Sequence, residues 1–212
     1  MARQKVILLK SAWRRGVGPF LSQLLISIRD KVWSNRHIMY YVGPGEIPNP
    51  PAGDGSRITY RRIDCWEDWP SELRDRLLRE QDALGWGQVE WFDRGWWVWS
   101  GEIEGKVATS CWVFPAGGYD WFFKHMAPGS EFIWQVTTLP EFRGRGLYAR
   151  MMIELMRTQV ADGVTGIYIC CRDYNLTSRR VLPKVGFRVI GEIVTNKLTN
   201  ARRWVPVGSK SA

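Results

Sequence analysis

The pattern of apolar and polar positions is most informative in the second half of the chain. Four of the five residues in Phe132–Val136 are β-branched or aromatic, and Leu147, Met151 and Leu155 then recur at helical spacing. Between them, Arg143–Gly146 reads Arg-Gly-Arg-Gly, so backbone N–H groups at the start of the helix point outward unobstructed. The pattern predicts a strand, a glycine turn that can cradle an anion, and a helix.

The same reasoning predicts elements on both sides of this unit. A helix opens with carboxylates near Asp68 and runs to Leu78, and two-residue turns at Glu104-Gly105 and Thr199-Asn200 predict hairpins. The other predicted strands are Ile38–Val42, Arg57–Ile63, Val98–Ile103, Lys106–Phe114, Gly166–Cys171, Phe187–Leu198 and Arg202–Val207. Residues 115–130 are expected to form a loop.

The glycine turn has a specific order of residues. It reads Arg143-x-x-Gly146-x-Tyr148, and Pro140 and Phe142 precede the arginine. This order resembles the Arg/Gln-x-x-Gly-x-Gly/Ala motif with which the GNAT superfamily of N-acetyltransferases binds acyl-CoA. Tyr148 departs from the small residue in the last position, and it either alters the placement of the cofactor or faces the core.

A second motif follows one helix and one strand later. Asn175-x-x-Ser178 opens a helical stretch that ends in Gly186-Phe187, and it resembles the second motif of the same superfamily. The resemblance covers roughly residues 57–207. It implies a mixed α/β fold of the GNAT type (α+β, one central mixed sheet flanked by helices).

The resemblance also implies how acetyl-CoA or another acyl-CoA is held. The central strand splays from its neighbour at a bulge, so that the pantetheine arm pairs with exposed backbone, and the pyrophosphate lies on the glycine turn. The implied contacts are Gln135, Val136, Thr137, Thr138 and Leu139 on the strand, Arg143, Gly144, Arg145, Gly146, Leu147 and Tyr148 on the turn, and Asn175 and Ser178 of the second motif. For Asn175, a helix cap is an equal alternative.

The chemistry implied is attack of a neutral amine on a thioester, which requires a base. Glu131 lies where family members often place it, although a solvated carboxylate at the end of a loop is an equal interpretation. On one face of the strand, Gln135 is a candidate for orienting water or substrate. His125 is a weaker candidate base, and Glu141 is expected to be scaffold.

The leaving thiolate lacks its expected partner. Many family members carry a tyrosine seven residues after the asparagine of the second motif, and here that position is Leu182. Tyr174, Tyr148 or water is expected to substitute. No cysteine lies beside a histidine with an orienting group, so direct transfer in a ternary complex is favoured over a covalent intermediate.

Charge separates the two ends of the chain. The net charge is +9, and most of it lies in residues 1–40, where eight basic residues face only Asp30. A local anionic partner is therefore expected, and a nucleic-acid surface is not. The two histidines, His37 and His125, lie far apart, and no metal is expected. The four cysteines show no Cys-x-x-Cys spacing and are predicted to be reduced and buried.

The N-terminal region predicts an amphipathic helix over Phe20–Val32. One interpretation packs its leucine stripe on the acyltransferase domain or on a second subunit in a homodimer. The other lays it, with Trp13, Trp33 and the basic residues, on an anionic membrane surface. No signal peptide or membrane span is predicted, so the expected location is cytoplasmic, with peripheral contact at the inner membrane face as the alternative.

The predicted organisation has four parts. Residues 1–42 are a basic amphipathic extension, 43–56 a linker rich in proline and glycine, 57–207 the GNAT-like domain, and 208–212 a flexible tail.

Tryptophan is abundant, with 13 residues in the chain. Strand periodicity places Trp97 and Trp99 on one face and Trp96 on the other. Most are expected in the core, but some are candidates for an aromatic groove that binds an acceptor, first of all an amino sugar. The acceptor is expected to be a small-molecule amine. The alternatives are a protein or lipid-linked acceptor at a membrane surface, and a catalytically silent module that only binds CoA.

Overall fold

A computed structural model describes residues 34–51, 57–71, 74–75, 89–116 and 126–208, together with Leu21, Leu24, Leu25 and Ile28. The contacts divide these residues into two compact units. The larger unit comprises residues 41–169 and 181–188, and the smaller comprises the described residues of 1–40, 170–180 and 189–212.

Eight strands and two α-helices lie wholly within the described residues. The strands are β1 (Ser34–Val42), β2 (Thr59–Ile63), β3 (Trp97–Ile103), β4 (Lys106–Pro115), β5 (Glu131–Thr138), β6 (Ile167–Arg172), β7 (Arg188–Asn196) and β8 (Arg202–Pro206). The helices are α1 (Leu147–Ala161) and α2 (Leu176–Val181), and short 3-10 helices lie at Pro44–Glu46, Val89–Arg94, Pro140–Phe142 and Leu182–Val185. The predicted strands are thereby confirmed, with ends shifted by a few residues.

The sheet of the larger unit runs in the order β2-β3-β4-β5-β6. The pairs β2–β3, β3–β4 and β4–β5 are antiparallel, and β5 pairs in parallel with β6. The mixture of both pairings, with helices between strands, is the predicted α+β class with a mixed sheet. Helix α1 packs against β4 and β5 and buries Leu147, Met151 and Leu155, the stripe predicted from their spacing.

Local sequence explains the tight turns. Glu104 and Gly105 have φ of 51° and 72°, as a two-residue hairpin of the primed type requires, and they join β3 to β4. In the smaller unit β8 pairs antiparallel with β7, and the Asn196 side chain accepts hydrogen bonds from the backbone N–H groups of Leu198 and Thr199. Both predicted hairpins are confirmed.

Of the nine tryptophans that the structure describes, five lie in the core. Trp69, Trp96, Trp97, Trp99 and Trp112 are buried. The rings of Trp97 and Trp99 meet edge to face at 6.3 Å, whereas Trp96 stacks on Phe114 at 4.0 Å. The predicted assignment of these rings to faces is confirmed, and burial leaves few of them available to a ligand.

Residues 43–51, within the predicted linker, are held by specific contacts in the larger unit. The Glu46 carboxylate accepts a hydrogen bond from the Gly43 N–H at 2.6 Å and pairs with Arg188. Asn49 accepts a hydrogen bond from Arg157 at 2.9 Å. The predicted domain boundaries themselves stay predictions.

Candidate functional site: strand β5 and the glycine turn

Strand β5 separates from β6 part-way along its length. Glu131, Phe132 and Ile133 pair with residues 167–169 of β6, and no later residue of β5 has a β6 partner within the larger unit's described residues. On its other edge β5 remains paired with β4 as far as Thr138. The outer edge of β5 is therefore open from Trp134 onward.

A bulge marks the point of separation. The register with β4 shifts between Ser110 and Trp112, so that Gln135 and Val136 face a single residue of β4. Gln135 carries a φ of 49°, a strained conformation for a residue with a side chain. Its side-chain oxygen is buried and accepts no hydrogen bond from the described residues. The bulge thus presents an unused acceptor where the two strands part.

The backbone of β5 alternates between its two edges. The Leu139 N–H donates to the Ala108 carbonyl at 2.9 Å, and the Thr137 carbonyl accepts from the Thr109 hydroxyl at 2.9 Å, so both residues are directed toward β4. Alternation then directs Val136 and Thr138 toward the open edge. Of the five strand residues predicted to contact CoA, these two have backbone groups aimed at the open edge.

Beyond β5 the chain forms the predicted glycine turn. Gly144 and Gly146 have φ of 84° and 71°, and both are exposed. A Cβ built on either would meet no atom within 4 Å, so the space outside the turn is empty of protein. The Gly146 carbonyl accepts the first hydrogen bond of α1, from Arg150 at 3.3 Å. Among the described residues, the N–H groups of Gly144, Arg145, Gly146 and Leu147 have no acceptor, so they are available to an external one.

The backbone N–H of Arg143, which the resemblance places on the pyrophosphate, is already hydrogen-bonded within the protein. Its N–H donates to the Pro140 carbonyl at 3.3 Å, so the backbone part of the turn that can bind an anion begins at Gly144. The guanidinium of Arg143 donates to the Thr138 carbonyl at 3.0 Å and ties the turn to the end of β5. The Arg145 guanidinium lies 5.7 Å from the centre of the Phe142 ring.

At the opposite end of β5, Glu131 is half-buried and hydrogen-bonded. The buried Gln159 of α1 donates from Nε2 to its Oε2 at 2.6 Å. Burial raises the pKa of the Glu131 carboxyl, while hydrogen bonds from Gln159 and the Trp97 indole and the charge of Arg62 partly oppose the rise. A raised pKa makes this carboxylate a stronger base than a solvated glutamate.

Sequence reasoning missed the partners of Glu131. Gln159 lies 28 residues away in sequence, and its place in α1 gives it no signal beyond a polar residue on a buried stripe. The Arg62 guanidinium stacks on the Trp97 ring at 4.3 Å. The alternative interpretation of Glu131, a solvated loop end, does not describe a half-buried strand residue with these contacts.

The first residues of the second motif, Asn175 and Ser178, lie in the smaller unit. The Asn175 side chain accepts a hydrogen bond from the Ser178 N–H at 3.2 Å, which is the capping role weighed above. Tyr174 is half-buried, and Leu182, in the larger unit at the position of the missing tyrosine, is fully buried. Contact of Tyr174, Asn175 or Ser178 with acyl-CoA stays a prediction. His125 lies outside the described residues.

Metal-ligand types do not gather in the part of the chain that the structure describes: it brings no three His, Cys, Asp or Glu residues together. Burial, with the nearby charge of Arg172, lowers the pKa of His37 to about 3, so its imidazole is neutral. The four cysteines are free thiols, of which Cys111 and Cys171 are buried.

The family is decided by a comparison over most of the chain. The sequence model of the acetyltransferase (GNAT) family matches residues 60–187. The chain belongs to the GNAT family. The match includes the open strand, the glycine turn and both motifs that carried the resemblance.

Solved structures of GNAT proteins share the fold at low sequence identity. A region described as a glucosamine N-acetyltransferase in a fungal multi-domain β-N-acetylglucosaminidase has a TM-score of 0.55 at 18% identity, covering 83% of this chain and 22% of that one. A GCN5-related N-acetyltransferase from Sphaerobacter thermophilus has a TM-score of 0.52 at 15% identity, covering 90% and 58%. A GNAT-family protein from Novosphingobium aromaticivorans has 0.51 at 18%, covering 76% and 62%.

Curated relatives match only a short stretch. Pyridoxine/pyridoxamine 5'-phosphate oxidase of Bradyrhizobium diazoefficiens is 49% identical over 41 residues, which is 19% of each chain. The oxidase of Sphingopyxis alaskensis is 42% identical over 41 residues, also 19% of each. This GNAT chain thus spans about a fifth of these relatives' length, and under two thirds of the first solved structures.

Proposed function

We propose that this GNAT protein transfers an acyl group, most simply acetyl, from acyl-CoA to the amine of a small molecule by direct attack in a ternary complex. The observation that carries the proposal is the open edge of β5, which begins at the bulge and leads to the exposed glycine turn. An extended pantetheine arm can add to such an edge as a strand does, with its pyrophosphate on the N–H groups of the turn.

Glu131 is the proposed general base. It sits three residues before the opening, at the closed end of the strand, and its raised pKa suits proton removal from an ammonium group or a bridging water. No described hydroxyl has an assigned role toward the leaving thiolate; Tyr174, Tyr148 or water remain the proposed donors. Because Leu182 is buried and cannot donate, a CoA-binding module without turnover is the second candidate.

The proposed acceptor is an amino sugar. Trp134 is the first residue of β5 beyond its last pair with β6 and is half-buried, so a flat aromatic surface lies beside the place where a thioester would sit. Aromatic faces pack against sugar rings with little loss of entropy. The fungal structural neighbour, described as a glucosamine N-acetyltransferase region, supports the same acceptor class.

The test combines binding with turnover on the full chain. Calorimetry measures acetyl-CoA affinity, and release of free CoA thiol is followed with glucosamine, simple alkyl amines, amino acids and a lysine peptide. Thiol release that depends on glucosamine supports the proposal. Release with another amine class instead would identify that class as the acceptor. Binding without release to any amine favours the silent module, and absence of binding refutes both.

A second part of the proposal concerns residues 1–40. Among the described residues of the predicted N-terminal helix, Leu21, Leu25 and Ile28 are helical and exposed by 50%, 66% and 47%. About half or more of each of these side chains is exposed, which favours a contact outside the chain. With the basic excess of this segment, we propose peripheral contact with an anionic bilayer.

Sedimentation with vesicles tests this contact. Binding to phosphatidylserine vesicles that weakens with salt and is lost in Leu25→Asp supports it; equal binding to neutral vesicles contradicts it. No described helix has the length and apolar content needed to cross a bilayer.

A further inference from the structure

A groove of about 740 Å³ lies beside the glycine turn and is not used by the mechanism above. It is lined by Arg57, Thr59, Ile103, Glu104, Gly105, Lys106, Phe142 and Arg145. These residues come from the start of β2, the β3–β4 turn and the glycine turn, all within the larger unit. The groove is therefore continuous with the turn through Arg145 and Phe142.

Positive charge predominates among the residues that line this groove. Arg57, Lys106 and Arg145 contribute three cations against the single carboxylate of Glu104. Among the described residues these three form no ion pair, whereas Arg36, Arg61, Arg62 and Arg188 each pair with a carboxylate. Unpaired cations that converge on one concave space favour an anionic occupant.

The floor of the groove suits a flat apolar group. Ile103 is buried, and the half-buried Phe142 packs against the small core cluster of Ile103, Ala108 and Leu147. The Thr59 hydroxyl adds a neutral hydrogen-bonding group at the rim. Cations around an apolar floor are the complement of a nucleoside that carries a phosphate.

The position of the groove determines which part of a ligand reaches it. The open edge of β5 is the edge away from β4, while the groove lies at the β3–β4 turn, on the other side of β5. A chain that enters along the open edge meets the glycine turn first and the groove second. When an acyl-CoA is held this way, its phosphorylated adenosine extends beyond the pyrophosphate, on the side where the groove lies.

We propose that this groove binds the adenosine 3'-phosphate end of acyl-CoA, with Arg57 and Lys106 on the phosphate monoester and Arg145 shared with the pyrophosphate. This inference rests on the proposed function. A phosphate monoester carries nearly two negative charges at neutral pH, and the groove offers two net positive charges. Nothing in the catalytic end of β5 depends on it.

The experiment compares CoA with 3'-dephospho-CoA by calorimetry on the full chain. Since a hydrogen bond between charged groups contributes about 1.5–3 kcal/mol, the wild type should prefer CoA by about 10- to 100-fold. Arg57→Gln and Lys106→Gln should each weaken CoA binding about tenfold and leave 3'-dephospho-CoA unchanged, and the double variant should bind the two ligands equally. Glu104→Gln should strengthen CoA binding a few-fold.

Arg94→Gln is the matched control, since it removes one positive charge from an exposed residue outside the groove. It should leave the preference for CoA unchanged. Equal affinity of the wild type for both ligands, or variants that weaken both ligands alike, would overturn the groove assignment while leaving the acyltransferase proposal standing. Failure of the wild type to bind either ligand would refute the proposed function itself.

Discussion

At its amino end, strand β5 presents one half-buried carboxylate, Glu131, whose hydrogen-bond partner comes from a distant helix. At its carboxyl end it leads into exposed glycines at which an added Cβ would meet no atom within 4 Å. The first end depends on side-chain identity and on an environment that raises a pKa, and the second on backbone conformation. Substitutions at the first end should therefore alter rate, and those at the second end binding.

The largest separation of these effects is expected from Glu131→Gln. Loss of a general base lowers rates by about 10²- to 10⁴-fold, while the shape of the side chain and its contact with Gln159 can be kept. We expect kcat to fall by that amount and the Kd for acetyl-CoA to stay within about twofold. Glu141→Gln, an exposed carboxylate near the glycine turn, is the control and should change neither. A normal rate in Glu131→Gln would show that Glu131 is not the general base.

The next effect distinguishes the glycine turn from ordinary backbone strain. Gly146 and Gly163 both have positive φ, 71° and 87°, and both have open space for a Cβ. Alanine at either site should therefore cost a similar free energy of unfolding, about 1–2 kcal/mol. Only Gly146→Ala places a methyl group where the pyrophosphate is proposed, so only that variant should lose acetyl-CoA affinity, by about tenfold. Equal affinity in the two variants would contradict the proposed cradle.

A smaller effect is expected from Gln159→Leu, which tests whether Gln159 positions the base. The hydrogen bond from Gln159 lowers the pKa of Glu131, so its loss should move the acid limb of the pH–rate profile to higher pH. The rate at high pH should recover. Thr158→Val alters the neighbouring position of the helix, whose hydroxyl donates to the Glu154 carbonyl, and should not shift the profile. A rate lowered equally at every pH would indicate a structural role only.

The smallest effect concerns stability. Because burial raises the folded-state pKa of Glu131 above its unfolded value, the protonated carboxyl is favoured in the fold, and that stability is lost as the pH rises through the folded pKa. The Glu131→Gln variant carries a neutral side chain at every pH, so it does not lose this stability. The free energy of unfolding of the variant, measured with urea, should match the wild type near pH 4 and exceed it above neutral pH. A difference independent of pH would contradict the raised pKa.

Much of the fold could be predicted because its signals are local. The Glu104-Gly105 turn needs two residues at positive φ, and the spacing of Leu147, Met151 and Leu155 defines one helix face whatever the rest of the chain does. The bulge at Gln135 could not be located in this way, since a residue with a side chain adopts positive φ there only because β4 and β5 are out of register. The family resemblance predicted that a bulge exists, and the register located it.

The candidate site likewise has one part that local sequence predicts and one part that it does not. The sequence by itself determined the glycine turn, because Arg143–Gly146 and the helix that follows act through backbone conformation over a few residues. Only the tertiary structure decided that Gln159 holds Glu131, that five of the tryptophans are buried, and that Arg57, Lys106 and Arg145 line one groove. Those arrangements join residues far apart in sequence, and strand pairing and helix packing, rather than any local propensity, bring them together.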